Sequence, residues 1–452
     1  MAECIGTGAI ERLDLDQARR PTRLEPLSPC FDLRRGDISV RIIRELGMNA
    51  LGRTLLAVLV ALMSLSAISQ RAREQGVTDT EIRIGNLMPY TGPLAAFGAI
   101  GKAEAAYFDM INERGGINGR KVRFISHDDN SDPSTALDLT RGLVERDNVL
   151  LMFGSFGTPG NLAVRKYLND RQIPQLFVAS GDDVWSNPGL YPWTMGWQPP
   201  FRTEGRIYAN YIRAFYPGSK IVVLWQNDQF GRDVFKGLQQ GLGDLAKTII
   251  VDIAHDISDP YLDTHVSILK RSGAEIFVFA GVPANAAQVI RIAAELNWHP
   301  VFILNDTAAS IATALKPAGL ENASGVISTA FVKDVNDPRW KDDPATRDWL
   351  SFREKYYRGG QDDSAALYGY AVAETLAQVL NQCGDDLSRE NVMRQAASLK
   401  GYEGSILLPG ITISTGPSDF APIKQLRLVQ FDGRSWQPID DVVGSAFSDA
   451  KK

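Results

Sequence analysis

The chain has few of the residues that usually carry chemistry. Its 452 residues include 3 cysteines and 4 histidines. Cys4 and Cys30 both precede an apolar stretch near the N-terminus, so a processed protein would keep Cys383 alone. That excludes an intrachain disulfide and a cysteine-based metal site in the processed chain. The histidines His127, His255, His265 and His299 form no i, i+4 pair and read as surface or internally satisfied residues. No block of five Lys or Arg occurs and the formal net charge is −5, which disfavours nucleic acid or an anionic membrane as partner. The apolar run Leu55–Met63 has nine residues, against the about 20 needed to span a bilayer.

Catalytic signatures are equally scarce. There is no G-x-x-x-x-G-K-[ST], no G-x-G-x-x-G after a strand, no G-x-S-x-G and no H-E-x-x-H. Ser267 and Lys270 match S-x-x-K, but the partner triplets of that chemistry are absent, so the segment reads as amphipathic helix. Asp128, Asn130 and Asp132 have calcium-loop spacing, yet Pro133 stands where that loop needs Gly and Leu139 where it needs Glu. The expectation is a protein that is not an enzyme and uses no cofactor or metal. A secreted α/β hydrolase is the alternative from another class, and the missing nucleophile motif argues against it.

What is present is a globular composition, 44% hydrophobic and 22% charged, in two unequal parts. Residues 1–75 carry eleven Arg, no Lys and nine acidic residues, a net of +2; the remainder therefore holds 37 basic and 44 acidic residues, a net of −7. Arg53, the apolar run and the small residues Ser64–Ser69 follow the order of a secretory signal. The expectation is export, with cleavage near Ser69 or Ala72. Residues 1–47 read as an over-extended N-terminus, with Met48 as the start and 48–75 as signal peptide.

From residue 80, short apolar runs alternate with amphipathic segments. Strands are predicted at 82–87, 121–125, 149–153 and 175–179, with helices at 96–113, 133–146 and 159–170 between them. Asp132 before Pro133 and Thr158 before Pro159 look like helix starts. A second series runs from helix 203–215 through strands 220–225, 248–254, 275–280, 301–304 and 326–330. Helices near 345–357, 364–381 and 388–399 follow, then hairpin-like segments at 405–413 and 424–437. Such alternation means parallel sheets with right-handed crossovers. The expected division is 76–199 plus 330–414 in one lobe and 200–329 plus 415–440 in the other, with 441–452 as tail.

In open α/β sheets ligands bind beyond the carboxyl ends of the strands. Three such loops in the first lobe are built from small and hydroxyl residues: Tyr90–Phe97, Gly154–Thr158 and Ala179–Gly181. Exposed N–H groups and helix dipoles there suit a ligand carboxylate, with the Thr158 and Ser180 hydroxyls as further donors. The same residues would serve equally as helix caps. In the second lobe Phe230, Val282 and Asp306 follow strands; Asp306 suits an ammonium group or, as readily, a cap for 307–315. Trp185, Tyr191, Trp193 and Trp197 either wall a cleft or pack the lobe.

Several segments together resemble the periplasmic solute-binding proteins of ABC importers of the leucine/isoleucine/valine-binding type. They are Gly92–Gly98, the turn Gly115–Gly119, Asp128–Pro133, Gly154–Thr158, Ile173–Phe177 and Asn227–Gly231. The resemblance covers residues 80–440. It implies an α/β, type I periplasmic binding protein fold, two doubly wound parallel-sheet lobes joined by three hinge crossings and closing on a small-molecule carboxylate. It also implies a monomer that delivers to a membrane permease driven by a separate ATPase. Carried over by position, Phe97 contacts ligand, Thr158 holds the carboxylate, and Ala179 and Gly181 share that task; Gly157 and Ser180, from the same loops, complete the candidate ligand-binding set. Asp306 meets the ammonium, and Phe230 and Val282 stand at aromatic positions. The chain departs from the family at Phe156, where a serine cluster is common, at Val282, and at the short Asp306 in place of Glu. The implied ligand is a branched-chain or other hydrophobic amino acid; an aromatic acid or amide, or a sensor role on the same fold, are the alternatives.

Overall fold

The computed structural model describes residues 76–335, 337–358 and 364–444. The chain divides into two units, Met1–Ser66 and Ala67–Lys452, and every described residue lies in the second. The expected signal, its cleavage site, the segment 1–47, Cys4, Cys30 and residues 445–452 of the tail fall outside the described residues.

The first sheet contains β1 (Glu81–Met88), β2 (Lys121–Asp128), β3 (Leu151–Phe153), β4 (Gln175–Val178) and β5 (Thr194–Gly196), in the order β2-β1-β3-β4-β5. All its pairs are parallel. Between them run α1 (Gly98–Glu113), α2 (Pro133–Glu145) and α3 (Thr158–Asp170). Helix α2 starts where predicted because Asp132 accepts a hydrogen bond from Thr135 N at 2.7 Å while Pro133 needs no partner for a missing N–H.

The second sheet contains β6 (Ile221–Gln226), β7 (Ile249–His255), β8 (Ile276–Ala280), β9 (Val301–Leu304), β10 (Ile327–Ala330), β11 (Gln425–Phe431) and β12 (Trp436–Gly444). Its order is β12-β11-β10-β9-β8-β6-β7. The strands β6 to β10 repeat the topology of the first sheet, and β11 and β12 add an antiparallel edge. Every residue of β8, Ile-Phe-Val-Phe-Ala, is buried, as a parallel strand covered on both faces requires. Helices α4 (Phe201–Phe215), α5 (Gln229–Leu242), α6 (Asp263–Arg271) and α7 (Pro283–Glu295) connect this series. Ser267 and Lys270 lie on α6, where Lys270 Nζ donates to Leu296 O, as expected of a structural helix. Helices α4 and α5 meet backbone to backbone: a Cβ on Gly205 would stand 2.2 Å from Val234 O, and one on Gly237 2.4 Å from Arg202 O.

Late in the chain, α8 (Pro344–Lys355), α9 (Ser364–Cys383) and α10 (Arg389–Ala396) return to the first sheet. Tyr107 of α1 meets Tyr370 of α9 edge-on at 5.1 Å, and Arg389 donates to the carbonyls of Val149 and Leu150 just before β3. The chain passes between the sheets after β5, after β10 and before β11. Two of these passages run side by side, Leu408 N donating to Phe331 O and Lys333 N to Ile406 O, both at 2.9 Å. Trp197, in the first passage, donates to Thr375 Oγ1 at 3.1 Å and packs edge-on against Tyr368 and Phe331.

Some expectations need correction. Residues 405–413 form isolated bridges, Val332 with Leu407 and Tyr402 with Ile413, instead of a hairpin, because this stretch is a passage paired with another passage. Strand β5 and the 3-10 turn Asp183–Ser186 were not foreseen; three residues are too few for a visible period. Trp185 and Trp197 are buried in packing, and Arg165 lies 3.7 Å over the Tyr191 ring. None of the four aromatics between 185 and 197 lines the cavity described below.

Candidate functional site

The carboxyl ends of the central strands of both sheets place the predicted loops. After β3 and β4, the loop residues bond to one another and to the end of β1. Phe156 N donates to Leu87 O, Gly157 N to Ala179 O, and Ala179 N to Ser155 O, all at 3.0 or 3.1 Å. Thr158 Oγ1 and Ser180 Oγ stand 2.6 Å apart, both buried. Thr158 does not cap its helix. Gly157 occupies the cap position at φ 85°, a left-handed backbone that suits glycine, and the Thr158 hydroxyl is turned to Ser180 instead.

Gly181 is covered from the second series of elements. A Cβ there would lie 2.6 Å from Pro199 O and 2.8 Å from the Phe201 ring, and Phe201 N donates to Gly181 O at 2.7 Å. Phe230 in turn meets Phe201 edge-on at 4.7 Å. Val282 is buried at the start of α7.

Phe97 and Asp306, from the two different sheets, line one cavity of about 490 Å³. Phe97 stacks on Phe156 with ring centroids 4.5 Å apart, so the residue that departs from the family pattern forms part of the wall. Phe331, Trp340, Tyr368 and Trp436 extend the aromatic lining, and Thr329, Lys333 and Arg427 add polar groups. The other predicted residues, Gly157, Thr158, Ala179, Ser180, Gly181, Phe230 and Val282, are not on this wall.

Asp306 opens a short 3-10 turn, Asp306–Ala308, and accepts from Thr307 Oγ1 at 3.1 Å. The helix cap expected of it is supplied by Ser310, which accepts from Thr313 N at 3.1 Å. Behind Asp306 lies Glu204 of α4, 2% exposed, a residue that sequence reasoning missed. Glu204 Oε1 accepts from Asp306 N and Tyr208 Oη, each at 2.6 Å, and from Thr329 Oγ1 at 3.3 Å. The available signal was positional: Glu204 shares the apolar face of α4 with Ile207, Tyr208 and Ile212, a face where a charged residue is unusual.

Loss of water on burial pushes the Glu204 carboxyl well above its ordinary value, and the neighbouring Asp306 charge adds to the rise. Burial likewise lifts Asp306, to about 6, against the opposing effect of its bonds with Thr307. Neither carboxyl is bridged to a Lys or Arg among the described residues. The arrangement is short of one positive charge, and a cationic group entering the cavity would relieve it. Among the described residues no cluster of His, Cys, Asp and Glu has the composition of a metal site.

Two mostly parallel sheets whose strand-end loops line one polar-tipped aromatic cavity define a two-lobed ligand-binding protein of type I architecture. The periplasmic binding protein family model matches residues 81–435. The chain belongs to the periplasmic binding protein family, and its relatives are of the leucine/isoleucine/valine-binding type. It is 24% identical over 336 residues to Leu/Ile/Val-binding protein homolog 1 of Brucella abortus, which covers 72% of this chain and 85% of that one. It is 24% identical over 314 residues to an amino acid binding protein of Pseudomonas aeruginosa, covering 67% and 79%. Among solved structures it is similar to a branched chain amino acid ABC transporter protein from Thermus thermophilus with bound valine. There the TM-score is 0.73 at 16% identity, over 82% of this chain and 98% of the other.

Proposed function

We propose that this protein is the exported receptor of an ABC importer, capturing a small carboxylate with an amino group, a branched-chain or other hydrophobic amino acid in the first instance. The observation that carries the reading is the pair Glu204 and Asp306, a buried and a half-buried carboxyl at the edge of an aromatic cavity with no cationic partner among the described residues. The ligand ammonium supplies the missing charge, and the apolar wall takes its side chain. The names of the relatives support the same ligand class.

In this reading the lobes close about the three passages, burying the ligand and presenting a new surface to a membrane permease. The hydrogen-bonded pair of passages at Phe331 to Lys333 and Ile406 to Leu408 suits such a hinge, because antiparallel extended segments bend without breaking a helix. The protein works as a monomer, catalyses nothing and is delivered to the periplasm by residues 48–75. A thermal-shift screen of the protein against amino acids, aromatic acids and amides tests the reading. A true ligand at a hundredfold excess over Kd stabilises by about 2.7 kcal/mol. Turnover of an ester or amide, with no stabilising amino compound, overturns it.

A further inference from the structure

Glu204 lies in the first turn of α4, just after the first passage between the sheets. Its Oε1 takes the N–H of Asp306 at 2.6 Å and stands 2.6 Å from Tyr208 Oη and 3.3 Å from Thr329 Oγ1. Tyr208 Oη lies in turn 3.0 Å from Leu304 O and 3.2 Å from Thr329 Oγ1. One carboxyl thus joins α4 to the end of β9, to β10 and to the turn that carries Asp306. Asp306 and Thr329 line the cavity, whereas Glu204 stands behind them, off its wall.

Two neighbouring carboxyls with no Lys or Arg bonded to either among the described residues do not both stay ionised. Asp306 is half-buried and opens onto the cavity, while Glu204 is 2% exposed. The proton therefore belongs to Glu204, the group further from water. The hydrogen count of the cluster agrees. Tyr208 has one hydroxyl hydrogen and two oxygens to meet, Glu204 Oε1 and Leu304 O. A proton on Glu204 lets the acid donate to Tyr208 and Tyr208 donate to Leu304, so that both contacts are filled. Burial, with the Asp306 charge added, holds Glu204 well above its ordinary value, while burial lifts Asp306 only to about 6.

We infer that Glu204 is a positioning residue for the ligand ammonium: as an uncharged acid it fixes the backbone of Asp306, and Asp306 alone carries the charge that the ligand meets. This rests on the reading of Asp306 as the ammonium site. The turn Asp306–Ala308 has its first N–H held from behind by Glu204, which keeps the short Asp306 side chain at the edge of the cavity. A second buried charge is avoided, and the acceptor that the turn needs is still present.

Isothermal titration of Glu204→Leu and Glu204→Gln with leucine and phenylalanine, beside infrared spectra of the ligand-free proteins, tests the assignment. Leu has similar bulk and no acceptor; it frees the Asp306 N–H and should weaken binding about tenfold. Gln restores an uncharged acceptor and should recover most of that loss, with the fall in affinity still centred at about pH 6. At about pH 8, where ordinary carboxyls are ionised, the unaltered protein should show the carbonyl stretch of a protonated acid. Glu204→Gln should diminish that band, the buried Glu104 supplying the remainder. A Gln variant that binds as weakly as the Leu variant, or whose band is unchanged, overturns the uncharged role, as does a Gln variant that fails to fold. Equal affinity in the unaltered and Leu proteins overturns the positioning role. Should Glu204→Leu not fold, the pH midpoint and infrared difference of Glu204→Gln still decide. Binding of neither amino acid by the unaltered protein overturns the receptor reading and the ammonium role with it, while the infrared difference separately reads the proton on Glu204.

Discussion

Replacing Asp306 by Asn should make the unliganded protein more stable and the receptor worse. Burial raises the Asp306 carboxyl from 3.8 to about 6. A raised carboxyl binds its proton more tightly folded than unfolded, so its contribution is favourable at low pH and is lost as pH rises through about 6. At neutral pH keeping it ionised costs at most about 3 kcal/mol, and less because part of the side chain faces the cavity. Asn keeps the shape and removes both the charge and its repulsion with Glu204. The expected result is a gain of about 1–3 kcal/mol in unfolding free energy, read as a melting temperature a few degrees higher. Ligand affinity should move the other way. A hydrogen bond to a charged group contributes about 1.5–3 kcal/mol, so an amino ligand should bind about 10- to 150-fold more weakly. Calorimetric melting with and without ligand, with titration alongside, measures both. A variant that melts lower and binds amino ligands as before refutes the reasoning at both points.

The same carboxyl gives a pH dependence: affinity for an amino ligand should be steady above about pH 6 and fall below it as Asp306 takes up a proton, while an ammonium ligand keeps its charge. Titration calorimetry between pH 5 and 8 checks this, and an affinity that rises on acidification speaks against it. Gly205→Val should cost about 1–3 kcal/mol or more, because its side chain would enter the backbone of α5 at Val234; chemical denaturation reads the loss. Cys383 is buried, and burial lifts its thiol to about 12. It should resist a thiol reagent in the folded protein and react once denaturant is added.

Much of the architecture is legible in order along the chain. The apolar runs of β1, β6 and β8 and the Asp132–Pro133 helix start are local signals, and their alternation leaves little choice but parallel sheets. The loops after those strands follow from the same alternation, and two of their residues, Phe97 and Asp306, line one cavity. Glu204 was hidden because one carboxylate on an amphipathic helix looks like any other until the face it occupies turns out to be buried against Asp306. Arg427 was hidden for a related reason: it lies 121 residues beyond Asp306, and only the order of β9, β10 and β11 in the sheet brings the two onto one cavity.

Composition, periodicity and loop chemistry by themselves determined the fold class, the absence of a recognisable catalytic motif and the set of loops at the carboxyl ends of the strands, since each follows from contacts within a few residues. Only the tertiary structure decided which loop residues share a cavity. It set Thr158, Ser180 and Gly181 among their own neighbours and paired Glu204 with Asp306. It also left Arg427 without a partner among the described residues. Those outcomes depend on where distant strands and helices meet, and on how much water that meeting removes from each charge.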